Sequence, residues 1–351
     1  MFQQQEKYMQ RCLQLAKLGA GFVAPNPMVG AVLVFEDKII GEGYHKIYGQ
    51  AHAEVNCIAS VKSSDRHLIS ISTLYVSLEP CAHYGKTPPC TNLIIENKIP
   101  KVIIGCQDPF TRVNGKGIEK LNAAGIEVIV GVLEKECIEL NKRFFIFFQK
   151  QRPFIILKWA QTSDKKIASN NEARLLISNL FTNRLVHKWR ASESAMLVGT
   201  NTVIKDDPFL TNLLWTGKNP IRLIIDKNLK IPPGAHVFNN DAPVIVFNYH
   251  RTTIRSDSVL SNKIFYFKIK EDESLIAQIY HACFDLKIQS ILVEGGATLL
   301  QSLIDEKLYD EIAVITNKEM FIGDGLSAPE LNNVSLIRSF SLLNDNINLF
   351  L

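Results

Sequence analysis

One histidine, two cysteines and a glutamate stand out for the chemistry they could do together. His52-Ala53-Glu54 is followed by Glu79-Pro80-Cys81 and then by Pro88-Pro89-Cys90. An imidazole and two thiolates make a borderline-soft donor set suited to zinc. Three protein ligands leave the fourth tetrahedral position to water, which is the catalytic rather than the structural pattern. Zinc there would lower the pKa of that water toward neutrality. Glu54, two residues past the histidine, can serve as general acid and base without being a ligand. A buried His or Cys taken alone is usually core packing; three motifs at three element boundaries point to a metal. Cys12, Cys57, Cys137 and Cys283 fall inside expected helices and read as small apolar residues, while Cys106 ends a strand. His83 competes as a ligand, but its closeness along the chain to Cys81 makes simultaneous chelation awkward.

Alternating helical and strand patterns supply the elements that must gather these residues. Tyr8, Met9, Cys12, Leu13 and Ala16 recur at helical spacing, and Gly19 and Gly21 stop that helix. A hairpin is expected at 29–43 around Glu36-Asp37, a helix over 53–61 and a strand over 73–78. A helix follows Pro88-Pro89, so His52 and Cys90 fall at helix starts, where thiolate is favoured over thiol, and Cys81 follows a strand end. The strand, helix and strand expected at 101–105, 118–124 and 126–131 continue the alternation. Residues 134–148 read as one long amphipathic helix. Gln149-Lys150-Gln151-Arg152-Pro153 is polar and ends in a helix breaker, which marks a domain boundary. Beyond it strands are expected at 154–159, 195–198, 221–226, 244–248 and 290–294, with helices near 180–191, 274–283 and from Ala297. Two α/β units with separate cores follow.

With 351 residues, 46% hydrophobic and 21% charged, the chain has an ordinary globular composition and room for two domains. Its greasiest run, Phe144-Phe145-Ile146-Phe147-Phe148, is far short of the roughly 18 apolar residues that would span a bilayer. The opening residues lack a basic segment followed by an apolar one, so neither membrane nor secretion is expected. Seven cysteines without disulfide spacing fit a reducing cytoplasm. A net charge of +4, from 39 basic and 35 acidic residues, is too balanced for a general nucleic-acid binder.

The zinc constellation resembles the cytidine and nucleobase deaminases, whose pattern is His-x-Glu followed by Pro-Cys-x-x-Cys. Here the eight residues from Ala82 to Pro89 separate the cysteines in place of two. That lengthened segment is similar to the bifunctional riboflavin-biosynthesis family, which deaminates and then reduces a phosphoribosylated pyrimidine. Pro25-Asn26-Pro27, Gly41-Glu42-Gly43-Tyr44-His45 and Gln107-Asp108-Pro109 extend the resemblance, which runs over essentially the whole chain. It implies a cytidine-deaminase-like three-layer α/β domain over 1–148 and one zinc per chain on His52, Cys81 and Cys90. It also implies substrate contacts from Asn26, His45, Lys86 and Asp108. Two residues past that Asp the family usually has Asn, where this chain has Phe110.

In the second half, Val293-Glu294-Gly295-Gly296-Ala297-Thr298 reads as a strand whose glycines open a helix and let a phosphate approach backbone amides. It is not Gly-x-Gly-x-x-Gly, so a Rossmann domain is disfavoured. Lys158-Trp159-Ala160, Trp189-Arg190, the run 198–203, Asp206-Asp207-Pro208 and the run 222–226 resemble the reductase half of the same family. The resemblance implies a dihydrofolate-reductase-like domain over 153–351 that uses NADPH and joins a homo-oligomer. Cofactor contacts carry over to Ala160, Leu176, Thr202, Asp206, Lys227, Gly296, Ala297, Thr298, Leu299, Leu300, Gln301 and Ser302. Substrate contacts carry over to Lys158, Arg190, Leu210, Leu213 and Glu294, with Lys158 and Glu294 serving the hydride step. Three positions depart from the family: Arg174-Leu175-Leu176-Ile177 replaces Ser-x-Trp-Ile, Leu213 replaces an arginine, and Lys227 replaces a hydroxyl. Arg174 is expected to supply the phosphate-binding cation that Leu213 removes.

Two other readings compete. An RNA-directed base deaminase with an accessory recognition domain would be expected to keep the short Cys-x-x-Cys loop. A regulatory protein with a structural zinc would have no use for Glu54.

Overall fold

The computed structural model describes residues 2–85, 88–110, 113–170, 175–254, 260–261 and 263–351. It forms two compact units, Met1–Lys150 and Gln151–Leu351.

The first unit is a five-stranded sheet built from β1 (Gly30–Phe35), β2 (Lys38–Tyr44), β3 (Thr73–Leu78), β4 (Lys101–Cys106) and β5 (Glu127–Val130), in the order β2-β1-β3-β4-β5. β1 runs antiparallel to β2 and β3, and β3, β4 and β5 are parallel. Glu36 and Asp37 both take positive φ, 42° and 64°; that left-handed pair twists a two-residue turn to match its strands. Side chains of β1 alternate between two cores. Ala31 and Leu33 pack with α2 (Ala53–Ala59), α3 (Cys90–Glu96) and α4 (Lys116–Ala123). Val32 and Val34 pack on the other face with α1 (Phe2–Ala16), α5 (Glu134–Leu140) and α6 (Lys142–Lys150). The result is three layers, helix, sheet and helix.

One expectation fails here: the single helix over 134–148 is two helices, broken at Asn141. The Asn141 carboxamide accepts from Met28 N at 2.8 Å and donates to Met28 O at 2.9 Å. A buried side chain that satisfies another segment's backbone competes with helix propagation. In return it anchors the end of the Pro25-Asn26-Pro27 segment.

The second unit is organised on a nine-stranded sheet. Its strands are β6 (Phe154–Gln161), β8 (Ala195–Gly199), β9 (Ile221–Ile225), β10 (Val244–Asn248), β11 (Ile264–Lys268), β12 (Ser290–Val293), β13 (Glu311–Asn317), β15 (Leu336–Leu342) and β16 (Asp345–Phe350). The order is β11-β10-β9-β8-β12-β6-β13-β16-β15, parallel from β11 to β13 and antiparallel at β16 and β15. A separate ribbon pairs β7 (Lys166–Ser169) with β14 (Gly325–Ser327). α9 (Leu275–Asp285) and α10 (Ala297–Asp305) cover one face through Ile279, Leu300 and Leu303. α7 (Leu180–Ser192) covers the other through Val186, which meets Ile315 and Ile347; α8 (Thr200–Asp206) follows β8 directly. Arg152 forks onto Asp310 at 2.6 and 2.7 Å, and Asp310 also accepts from Ile155 N at 2.8 Å. That bidentate pair fixes the start of β6 beside β13.

Among the described residues, no helix is long and apolar enough to cross a membrane.

Candidate active sites

The first site stands at the carboxyl ends of β3 and β4. His52 immediately precedes α2 with an extended backbone, Cys81 lies three residues beyond β3, and Cys90 opens α3. His52 Nδ1, Cys81 Sγ and Cys90 Sγ lie within 4.8 Å of one another. The imidazole nitrogen is 3.6 Å from one sulfur and 3.4 Å from the other. Ordinary Zn–S and Zn–N bonds at a tetrahedral centre would set such donors about 3.6 Å apart, so the donor set fits zinc. The Cys90 amide donates to Cys81 Sγ at 3.4 Å, an outer contact of the kind that orients a thiolate. A hydrogen bond from Cys90 and burial act oppositely on Cys81; the bond prevails and lowers its thiol pKa to about 4, while that of Cys90 rises.

Glu54, on the first turn of α2, is 3% exposed. Burial, reinforced by the Cys81 thiolate, raises its carboxyl pKa above the usual range. α2 can lie this close to β2 because Gly41 and Gly43 offer no side chain: a Cβ on Gly43 would stand 2.2 Å from Cys57 N.

Asn26 and His45 meet at one edge of the site. The His45 Nδ1–H donates to Ala51 O at 3.0 Å, which leaves Nε2 to accept from Asn26 Nδ2 at 3.1 Å. The amide is thereby oriented, with its Oδ1 unbonded among the described residues. Asp108 follows β4; burial first, then Glu79 and Cys81, push its pKa up to about 7. Glu79 is a hub with no role assigned from sequence. Its buried carboxylate accepts from the amides of Asp108, Gly115, Gly117 and Ile118. Its place directly after an apolar strand was the available signal. His83 is not drawn into the donor cluster; its ring faces Phe110 at 6.2 Å. Lys86 lies outside the described residues.

The second site stands at the carboxyl edge of the parallel strands, where the strand order reverses at β8-β12-β6. Such switch points are where open α/β sheets leave a crevice for ligands. Lys158 on β6 and Glu294 just after β12 meet there, Nζ to Oε2 at 3.6 Å. Arg190 of α7 forks onto the same carboxylate at 3.0 and 2.6 Å. Burial alone would raise Glu294, but Arg190 and Lys158 overcome it and hold the carboxyl at about 2. Burial lowers the Lys158 ammonium pKa.

The positions expected to touch the cofactor are spread over several elements of this unit. Thr202 packs against Gly295, where an added Cβ would lie 2.9 Å from Thr202 Oγ1, and Gly296 has a positive φ of 70°. That bare strand-to-helix turn suits close approach of a phosphate. Ala160 is half-buried on β6, and Asp206 and Lys227 are exposed after β8 and β9. Leu300 faces the core and Leu299 packs beside it, so neither offers its side chain freely. Gln301 and Ser302 line an open groove of about 680 Å³ on the flank of α10, and Gln301 exchanges hydrogen bonds with the Glu330 backbone. Leu176 and Leu213 are 73% and 74% exposed, and Leu210 is buried. Arg174 lies outside the described residues.

Comparison with known proteins covers both units. Residues 2–106 match the family described as the cytidine and deoxycytidylate deaminase zinc-binding region, and residues 153–335 match the RibD C-terminal domain. The chain is 40% identical over 343 residues to riboflavin biosynthesis protein RibD of Aquifex aeolicus, covering 96% of this chain and 93% of that one. It is 38% identical over 311 residues to the protein of the same name from Bacillus amyloliquefaciens, covering 88% and 83%. Among solved structures it is similar to a diaminohydroxyphosphoribosylaminopyrimidine deaminase/5-amino-6-(5-phosphoribosylamino)uracil reductase from Thermotoga maritima. That match has a TM-score of 0.87, 35% identity and 99% coverage of both chains. RibD of Acinetobacter baumannii gives 0.89 at 29% identity, covering 100% of this chain and 99% of that one.

Proposed function

The chain belongs to the RibD family of bifunctional riboflavin-biosynthesis enzymes, and from that premise we propose the residues and cofactors by which it works. It is a deaminase and a reductase. Its first substrate is diaminohydroxyphosphoribosylaminopyrimidine, and its second is 5-amino-6-(5-phosphoribosylamino)uracil, whose ribosyl group becomes ribityl. The observation that carries the reading is the convergence of His52, Cys81 and Cys90 beside a buried glutamate.

In the first site His52, Cys81 and Cys90 hold zinc, which supplies a water of lowered pKa. Glu54 carries the proton. Its carboxyl, raised by burial, takes a proton on the water side and gives it to the departing amino nitrogen as ammonia leaves. Asn26, with its Nδ2 committed to His45, turns Oδ1 to accept from the pyrimidine. Lys86 and Asp108 complete the shell.

In the second site the Gly295-Gly296 turn, Thr202 and Lys227 hold NADPH, which supplies the hydride. Lys158, its pKa lowered by burial, gives a proton to the heteroatom on the ribose carbon that receives the hydride. Glu294 keeps Lys158 and Arg190 in place as an anion. Three bonds engage three of the five Arg190 N–H groups, and the remainder serve the substrate phosphate together with Arg174. A cytoplasmic location and a homo-oligomer accompany this reading; none of the seven cysteines is in a disulfide.

The test is the two half reactions on the full chain: ammonia release from the pyrimidine ribotide, then oxidation of NADPH in preference to NADH. Glu54→Gln is expected to keep zinc and slow ammonia release by at least ~10². Cys81→Ser and Cys90→Ser are expected to lose zinc; full zinc by elemental analysis in both would overturn the ligand assignment.

A further inference from the structure

Residues 210–213, which include the expected substrate contacts Leu210 and Leu213, are tied to α7 by two side chains. Arg190 Nη1 donates to Thr211 O at 3.3 Å, and the Leu213 amide donates to Nδ1 of His187 at 3.1 Å. The segment turns sharply at Leu210, whose φ is 51°, and Asn212 N donates to Asn219 Oδ1 at 2.8 Å. His187 precedes Arg190 by three residues, so both project from one face of the helix. It is 7% exposed, yet it has no role in the zinc or hydride chemistry.

A backbone amide can only donate, so the ring nitrogen facing it must present a lone pair. His187 is therefore neutral, with its proton on Nε2. The charged groups around it are Arg190, Glu294 and Lys158, and burial followed by Arg190 lowers its pKa. The acceptor form is thus the resting form at neutral pH. Among the described residues no other side chain accepts from the Leu213 amide.

We propose that His187 is a positioning residue of the reductase: through the Leu213 amide it sets the rim that grips the substrate rather than the coenzyme. Position 213 makes the assignment specific to this chain. Its leucine stands 74% exposed with no charge to offer, so the rim's contribution depends on where its backbone is held. The proposal rests on the reductase reading given above.

The experiment compares His187→Asn with His187→Leu and His187→Gln in the full, zinc-loaded chain. Asn places an acceptor near the site of Nδ1; Leu has none, and Gln carries its acceptor one methylene too far. The reductase KM for the deaminated ribotide is expected to rise about five- to tenfold in the Leu and Gln variants, the effect of one lost hydrogen bond. In Asn it is expected to stay within about twofold of wild type. KM for NADPH and ammonia release should not move. Should Leu fail to fold, the Gln–Asn comparison decides alone. The proposal is overturned if Gln and Asn behave alike, or if KM for NADPH rises together with that for the ribotide. If wild type itself fails to oxidise NADPH with the ribotide, the failure belongs to the functional reading instead.

Discussion

At the residue scale, Lys158, Arg190 and Glu294 bring three formal charges together with little exposure, and the carboxylate decides whether the group holds. Its side chain is 6% exposed. Its folded pKa, about 2, lies below the ordinary 4.5. A depressed carboxylate contributes stability that is complete above the unfolded value and lost as pH falls through the folded one. The window is therefore pH 4.5 down to about 2, and the contribution is on the order of 3 kcal/mol. Glu294→Gln is expected to be less stable than wild type at pH 6, with the gap closing as the pH falls across that window. Urea unfolding at several pH values measures it, and a gap independent of pH would refute the assignment. The convergence of His52, Cys81 and Cys90 was legible from sequence because residue type, spacing and element boundaries agreed on a single chemistry. His187 was not, because its partner is a backbone amide brought to it by a loop. The Asn26–His45 pairing escaped for the same reason, since it forms only when two loops meet.

At the scale of elements, the proposed zinc site depends on how closely α2 can lie on β2. A Cβ on Gly43 would fall 2.2 Å from Cys57 N and 2.6 Å from Ala53 O, backbone atoms that cannot swing aside. Gly43→Ala is expected to push away the helix that carries His52 and Glu54, costing about 1–3 kcal/mol. Zinc content and ammonia release should fall, while NADPH oxidation with pre-deaminated substrate stays normal. Loss of both activities would mean general misfolding instead. Most elements of the first unit were readable from alternation and turn residues, and the strand Thr73–Leu78 is where the pattern put it. The Asn141 break was not, since helical periodicity continues across it and only the contact with Met28 opposes it. β13, β15 and β16 also went unread. β15 exposes most of its residues, so it carries little of the apolar signal by which a strand is recognised.

At the scale of the whole chain, each unit has its own sheet and its own cores. A fragment of residues 1–150 is expected to fold, bind zinc and release ammonia. If that fragment is folded and zinc-loaded but inert while the full chain is active, deamination requires residues from beyond it. The sheet order of the second unit has a consequence for how the protein is made. β6 is that unit's first strand, yet it pairs with β12 and β13, so Phe154 lies opposite Ser290 and Leu157 opposite Ile312. During synthesis the earliest strand must wait for partners that leave the ribosome more than a hundred residues later. The first unit can close while the second is still being translated, and the second must remain open until almost all of it has emerged. Pairings so distant in sequence are slow to form and expose apolar surface in the interval. A cell making this protein in excess should therefore find its aggregates nucleated by Phe154–Gln161, whose natural neighbours arrive late.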